Sequence, residues 1–437
     1  MASAPPAARH LSQVAVTRPL ASHGRLIAGV LVAGVLLRLL FAGLIPLFGD
    51  EAYYWEWSRH LAPGYFDHPP GIPLLIRGGT ALLGNVPLGV RVLPVLAGLV
   101  AALATSAVAR RLAGDQASLR AALIITCMPL AAAGLVLATP DSPLLATTAV
   151  SVYAVVRALQ EASRSRASLG WWTVTGISLG LAFCSKYTSI LMPVGVLIAV
   201  LSRASLRVRL REPGPYVACL AATLVFLPVL QWNAAHHWVS FGFQIHHGLA
   251  PAAHRDPLAP FKRLGDLIGG QAGLVSPILF VLFAVATARG LRRSASDASF
   301  TLAMIAAFAF LFFCYSATRQ RVEANWPAPT YIAAIPLLAS LDQSRAITKW
   351  LRAGLCLAAI LSLAIYFHAA FAILPIPPPK DPLARSAGWR ELAGAVETTV
   401  RRPRSSPEHS WAAADRYQDA AELAFHLPSH PTTFSLN

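Results

Sequence analysis

Two adjacent carboxylates, Asp50 and Glu51, follow an apolar run from Leu26 to Phe48 and precede the aromatic residues Tyr53, Tyr54, Trp55 and Trp57. A run of that length crosses a bilayer, which takes about 20 residues at 1.5 Å rise each. The pair therefore stands at a membrane–water boundary, where an ionisable residue marks function by default. Adjacent helical positions point about 100° apart, so the two cannot address one atom. One is expected to act as a base while the other binds a neighbouring hydroxyl or orients the helix. The competing reading makes both solvated groups at a helix N-terminus, favoured there by the dipole.

Other polar residues collect at equivalent boundaries. In Tyr65-Phe66-Asp67-His68-Pro69-Pro70-Gly71 the prolines restrict the backbone beside Asp67 and His68. As a tetrapeptide, Asp-His-Pro-Pro is more often a turn than a site. Asp141, in Thr139-Pro140-Asp141-Ser142-Pro143, reads first as a helix N-cap. Lys186 lies between two apolar runs without an acid near it in sequence, so it either snorkels or meets an anionic group. Arg319, Arg321, Glu323 and Asn325 precede Trp326-Pro327, and two arginines before a proline-led helix form a grip for phosphate; a surface loop is the bland alternative. The histidines His236, His237, His246, His247 and His254 match no metal-ligand spacing. The site reading names no metal ligand, requires no cofactor, and leaves room for a divalent metal.

The elements that must position these residues follow from composition. Of 437 residues 55% are hydrophobic and 13% charged, against about a quarter charged in a soluble chain. Apolar runs separated by short basic connections imply a polytopic helical membrane protein. Spanning helices are expected near 25–48, 87–109, 119–138, 142–160, 170–184, 187–202, 215–233, 270–288, 298–316, 326–341 and 350–373, about eleven in all. Residues 1–24 form a tail, 25–374 the transmembrane module, and 375–437 an external segment after the stiff Pro375-Ile376-Pro377-Pro378-Pro379 linker. In the external segment, Gly388–Arg401 and Ala412–Phe425 read as amphipathic helices.

The net charge of +16 is topological. Arginines gather at every second connection, for example Arg110, Arg111 and Arg120, or Arg203, Arg207, Arg209 and Arg211. This is the positive-inside pattern, and it excludes a nucleic-acid reading. It places the N-terminus in the cytoplasm and the acids on the outer face. The five cysteines, single and within apolar runs, behave as small hydrophobes. Residues 52–61 read as a helix lying in the interface. Arg38, inside the first apolar run, fits either an intramembrane ion pair or a transport path.

The stretch Asp50–Pro70, DEAYYWEWSRHLAPGYFDHPP, resembles the first external loop of bacterial glycosyltransferase family 39. That family sits with the protein O-mannosyltransferases and the lipid A aminoarabinose transferases in the GT-C class. The segments 139–144, 185–188, 323–329 and 415–423 are similar to its later signatures. The resemblance implies a GT-C bundle in the bacterial inner membrane, with its site and C-terminus facing the periplasm. It implies a sugar donor carried on a polyprenyl phosphate and a lipid A, glycan, lipid or protein acceptor, and inverting transfer. Asp50 becomes the catalytic carboxylate, with Asp141 assisting. Glu51, Asp67, His68, Lys186, Arg319, Arg321, Glu323 and Asn325 become substrate-binding. Relatives that modify lipid A carry Lys where this chain has His68, so Lys186 or the two arginines are expected to supply the charge. Such relatives extend further at the C-terminus, which points to truncation after Asn437. The alternative from another class is a transporter or flippase of a lipid-linked or anionic substrate, with charges at broken helices near the midplane.

Overall fold

The computed structural model describes residues 20–249, 257–400 and 412–436. Most of the expected N-terminal tail and His254 therefore lie outside the described residues. The helices in chain order are α1 (Leu20–Leu44), α2 (Gly49–Arg59), α3 (Gly71–Leu83), α4 (Pro87–Cys127), α5 (Pro129–Gly134) and α6 (Asp141–Gln160). Next come α7 (Arg166–Phe183), α8 (Leu191–Ser202), α9 (Ala204–Arg207), α10 (Gly214–Ala235), α11 (Val239–Leu249) and α12 (Ala259–Val275). The last are α13 (Pro277–Gly290), α14 (Asp297–Arg319), α15 (Ala328–Ala339), α16 (Arg345–Phe371), α17 (Trp389–Val400) and α18 (Tyr417–His426). The fold is an all-α polytopic bundle. Within it α7 packs between α6 and α10, and α4 lies against α1, α6 and α15.

Among the described residues six helices are long and apolar enough to cross a membrane, or up to eight if each bent pair is one span. The expected eleven segments map unevenly onto these. Two of them, 87–109 and 119–138, lie on either side of the break at Ala113 and Gly114 in the 41-residue α4, the second running on past its end into α5. Gly114 has φ +77° there, a conformation that costs glycine little. The segment at 326–341 is only the 12-residue α15. The expected span at 270–288 is split at Ser276, where α12 and α13 meet at 103°. That break carries a hydroxyl rather than a charge, Ser276 Oγ donating to the Gly354 carbonyl at 3.3 Å. The connection 49–86 contains a helix the sequence reading passed over, α3, which packs on α2 and α4.

Arg38 is buried and donates to the Ile125 carbonyl at 3.1 Å, so a backbone oxygen takes the place of the acid considered for it, while its Nε has no hydrogen-bond partner among the described residues.

The aromatic first loop is packed inside the protein rather than laid out at a surface. Trp55 is fully buried, and Trp57 stacks on Tyr65 with ring centres 4.3 Å apart. The cover comes from the chain's other end: Phe425 meets Trp55 edge-on at 5.0 Å, and Tyr417 lies 4.4 Å from Tyr53. Trp55, Trp57, Tyr65 and Phe425, together with Leu47, Ile72, Ile76 and Val90, make a second hydrophobic cluster, separate from the main core of the bundle. Where Ala412–Phe425 reads as one helix, the structure has a short strand, β1 (Ala412–Ala414), before α18. β1 pairs in parallel with β2 (Thr433–Ser435), Ala413 opposite Phe434. Close approach of this segment depends on Gly49: a Cβ there would sit 2.7 Å from Gln418 Cβ.

Candidate active site

Glu51 is the fixed point of the site. It is 1% exposed and faces Arg91, which is 0% exposed, through a two-pronged ion pair of 2.7 and 2.5 Å. Its carboxylate also accepts the Phe48 amide at 3.1 Å and the Ala138 amide at 2.8 Å. Arg91 spends its remaining donors on the carbonyls of Ala42, Ile45 and Pro46. One ion pair thus clamps the end of α1, the start of α2 and the loop before α6. This assignment corrects the substrate-binding role expected of Glu51: its oxygens are committed to protein donors and out of reach of solvent. Arg91 was missed in sequence. Its signal, an arginine inside an apolar run, is the one that drew attention to Arg38.

With Glu51 held, Asp50 turns outward into a cleft of about 720 Å³. Its nearest polar neighbour is Gln418 on α18, whose amide nitrogen lies 3.4 Å from Oδ1. The carboxylate reaches the cleft's water, but protein surrounds it otherwise. Burial therefore pushes its pKa up; the Gln418 hydrogen bond opposes this, and the charges of Glu51 and Glu323 add to it. Asp67 is pushed up to about 6, by burial first and then by the negative charge of Asp50. Tyr54 is buried, and the negative charges of Asp50, Asp67 and Asp141 all act on its phenol. The His68 ring lies 6.1 Å from that phenol ring.

The Asp67–His68 loop is pinned from below. The Gly71 amide donates to the Cys184 carbonyl at 2.7 Å, and Gln244 donates to the Asp67 carbonyl at 2.7 Å. A Cβ on Gly71 would sit 2.8 Å from that Cys184 carbonyl oxygen. Beside this contact, Lys186 Nζ meets Asp141 Oδ1 at 2.8 Å, with both residues buried. Asn325 donates to the second oxygen, Oδ2, at 2.5 Å. The acid that Lys186 lacked in sequence is supplied 45 positions away, and Lys186 is already neutralised by it. Asp141 heads α6 as its first residue, after Pro140 and without a side-chain cap, so the N-cap reading of Asp141 falls.

The arginines divide. Arg321 is exposed and lies 3.3 Å from the exposed Glu323. Arg319, at the end of α14, has its Nε buried and without a hydrogen-bond partner among the described residues. Those residues contain no group of three or more His, Cys, Asp or Glu arranged to hold a metal ion.

A mutation separates the two outer acids. Asp50 carries its charge while Asp67 titrates, and that charge helps to hold Asp67 up at about 6. Asp50→Asn removes the repulsion, so the Asp67 carboxyl is expected to titrate at lower pH, as carboxyl-carbon NMR of variant against wild type will read; an unmoved titration would separate the two acids.

Residues 67–232 match the family model described as dolichyl-phosphate-mannose-protein mannosyltransferase. A lipid A galacturonosyltransferase, RgtD of Rhizobium johnstonii, is 29% identical over 299 residues, 65% of this chain and 58% of that protein. The undecaprenyl phosphate-alpha-4-amino-4-deoxy-L-arabinose arabinosyl transferase of Pseudomonas aeruginosa is 33% identical over 187 residues, 42% of this chain and 33% of that protein. The chain therefore spans less than two thirds of either curated relative. Among solved structures, ArnT from Cupriavidus metallidurans bound to undecaprenyl phosphate superposes with a TM-score of 0.69 at 18% identity, covering 95% of this chain and 86% of that one.

Proposed function

From the premise that this chain has the fold of the GT-C membrane glycosyltransferases, we propose that it moves a sugar from a polyprenyl-phosphate donor to a lipid A-type acceptor at the periplasmic face of the bacterial inner membrane. The observation that carries this reading is Asp50: a carboxylate aimed by a buried ion pair into an open cleft, beside a second acid and a buried tyrosine. The relatives' names support the substrates, since two of them act on lipid A or with undecaprenyl phosphate-linked aminoarabinose. A lipid-linked donor also suits a site outside the cytoplasm, where nucleotide sugars are absent.

The chemistry is a direct displacement. An acceptor hydroxyl gives its proton to the Asp50 carboxylate as its oxygen attacks the anomeric carbon, and the bond from that carbon to the phosphate oxygen breaks. The products are the glycosylated acceptor, with inverted configuration, and polyprenyl phosphate. Charge building on the departing phosphate needs fixed cations, often the largest single contribution to such catalysis. Arg319, with its unpartnered Nε, takes that role more readily than Lys186, whose charge Asp141 already balances. Asp141, Lys186 and Asn325 then act by holding the floor of the site rigid.

Purified protein in proteoliposomes, given radiolabelled undecaprenyl-phosphate galacturonic acid or aminoarabinose and lipid A bisphosphate, is expected to move label onto lipid A. Folded protein that leaves both donors untouched would overturn the reading.

A further inference from the structure

The cleft in front of Asp50 is built largely by the C-terminal segment, and its walls carry four cations against three acids. Lys380 and Arg385 come from two short 3₁₀ turns (Pro378–Lys380 and Pro382–Arg385), Arg416 from the residue before α18, and Arg321 from the loop after α14. Three acids share the lining: Asp50, Asp381 and Asp419. Asp381 is occupied, accepting the Leu383 amide at 2.9 Å and lying 3.5 Å from His368 Nε2. Arg321 has Glu323 beside it. Lys380, Arg385 and Arg416 have no ion pair among the described residues.

Surface cations are usually only solvated. These converge from separate stretches of chain on one concavity that contains the base, where their mutual repulsion favours an anion. The reaction geometry says which substrate brings it. In an inverting displacement the attacking oxygen and the leaving phosphate lie on opposite sides of the anomeric carbon. Asp50 must touch the attacking oxygen, so groups sharing its cleft stand on the acceptor's side and away from the donor phosphate. We infer that Lys380, Arg385 and Arg416 form an anion subsite for the acceptor, and that the acceptor is a saccharide head group carrying phosphate. This assignment rests on the transfer reaction proposed above. It gives the C-terminal segment a task beyond covering the aromatic loop.

The test is binding of lipid A bisphosphate and of its dephosphorylated form to the detergent-solubilised full chain. Wild type is expected to favour the bisphosphate by at least about tenfold, the scale of one charge-assisted hydrogen bond, and to lose that preference as salt rises. Lys380→Gln/Arg385→Gln/Arg416→Gln is expected to bind both forms alike. In the transfer assay, the acceptor KM should rise while the donor KM stays put. A triple variant that keeps the wild-type preference, or one whose donor KM rises instead, overturns the assignment; the second result would move the anion to the donor sugar. Should the triple variant fail to fold, Arg416→Gln and Lys380→Gln singly carry the same comparison. The binding arm needs no turnover, so an inactive wild type that still prefers the bisphosphate sinks the transferase reading and leaves the anion subsite standing.

Discussion

Asp50→Asn is expected to lower the transfer rate by about 10²–10⁴-fold, the usual contribution of a positioned general base. The loss should fall on kcat, with donor and acceptor KM little changed, because the amide keeps the shape of the carboxylate. Stability should not suffer. Burial already disfavours the charged form of Asp50, so a neutral side chain removes a strain rather than a support. Steady-state kinetics on the reconstituted protein, with thermal unfolding alongside, checks both halves. A variant that turns over at the wild-type rate would show that some other group takes the acceptor proton.

The second large effect concerns folding. Arg91→Met leaves the Glu51 carboxylate buried with its counter-charge gone, and breaking a buried ion pair in this way costs about 3–5 kcal/mol. The clamp would fail at three points together, since Arg91 also holds the carbonyls of Ala42, Ile45 and Pro46. Activity is expected to disappear with the aim of Asp50. The companion variant Arg91→Met/Glu51→Leu strands no charge and should recover part of the lost stability without recovering activity. Unfolding followed by tryptophan fluorescence gives the comparison, because Trp55 and Trp57 report on the same cluster. Equal destabilisation in the single and double variants would mean that the pair acts only by packing.

Several parts of the site are visible in the linear chain. The Asp50-Glu51 pair after a membrane-length apolar run, the proline-held Asp67 and His68, and Asp141, Lys186 and Asn325 can all be picked out by residue type and position. Their partners cannot. Glu51 and Arg91 are 40 positions apart, Lys186 and Asp141 45, and Asn325 and Asp141 184. No local pattern encodes such pairings, because they arise only when helices distant in sequence pack side by side. Glu51 shows the consequence: adjacent to Asp50 and of the same type, it reads as a second substrate contact until the fold buries it against Arg91.

The C-terminal segment shows the same limit. Set off by prolines, it reads as an external segment with two amphipathic helices and without a partner in the rest of the chain. Yet Phe425 and Tyr417 close the aromatic cluster, Gln418 reaches Asp50, and its turns wall the cleft.

Sequence alone determined that this is an all-helical membrane protein with acids gathered at helix ends, because lipid demands long apolar helices and penalises charge anywhere else. Tertiary structure decided which of those acids faces the cleft and which are buried in ion pairs. Burial and charge pairing are properties of neighbours in space, and packing lends Glu51 an arginine and Asp141 a lysine while leaving Asp50 facing open water.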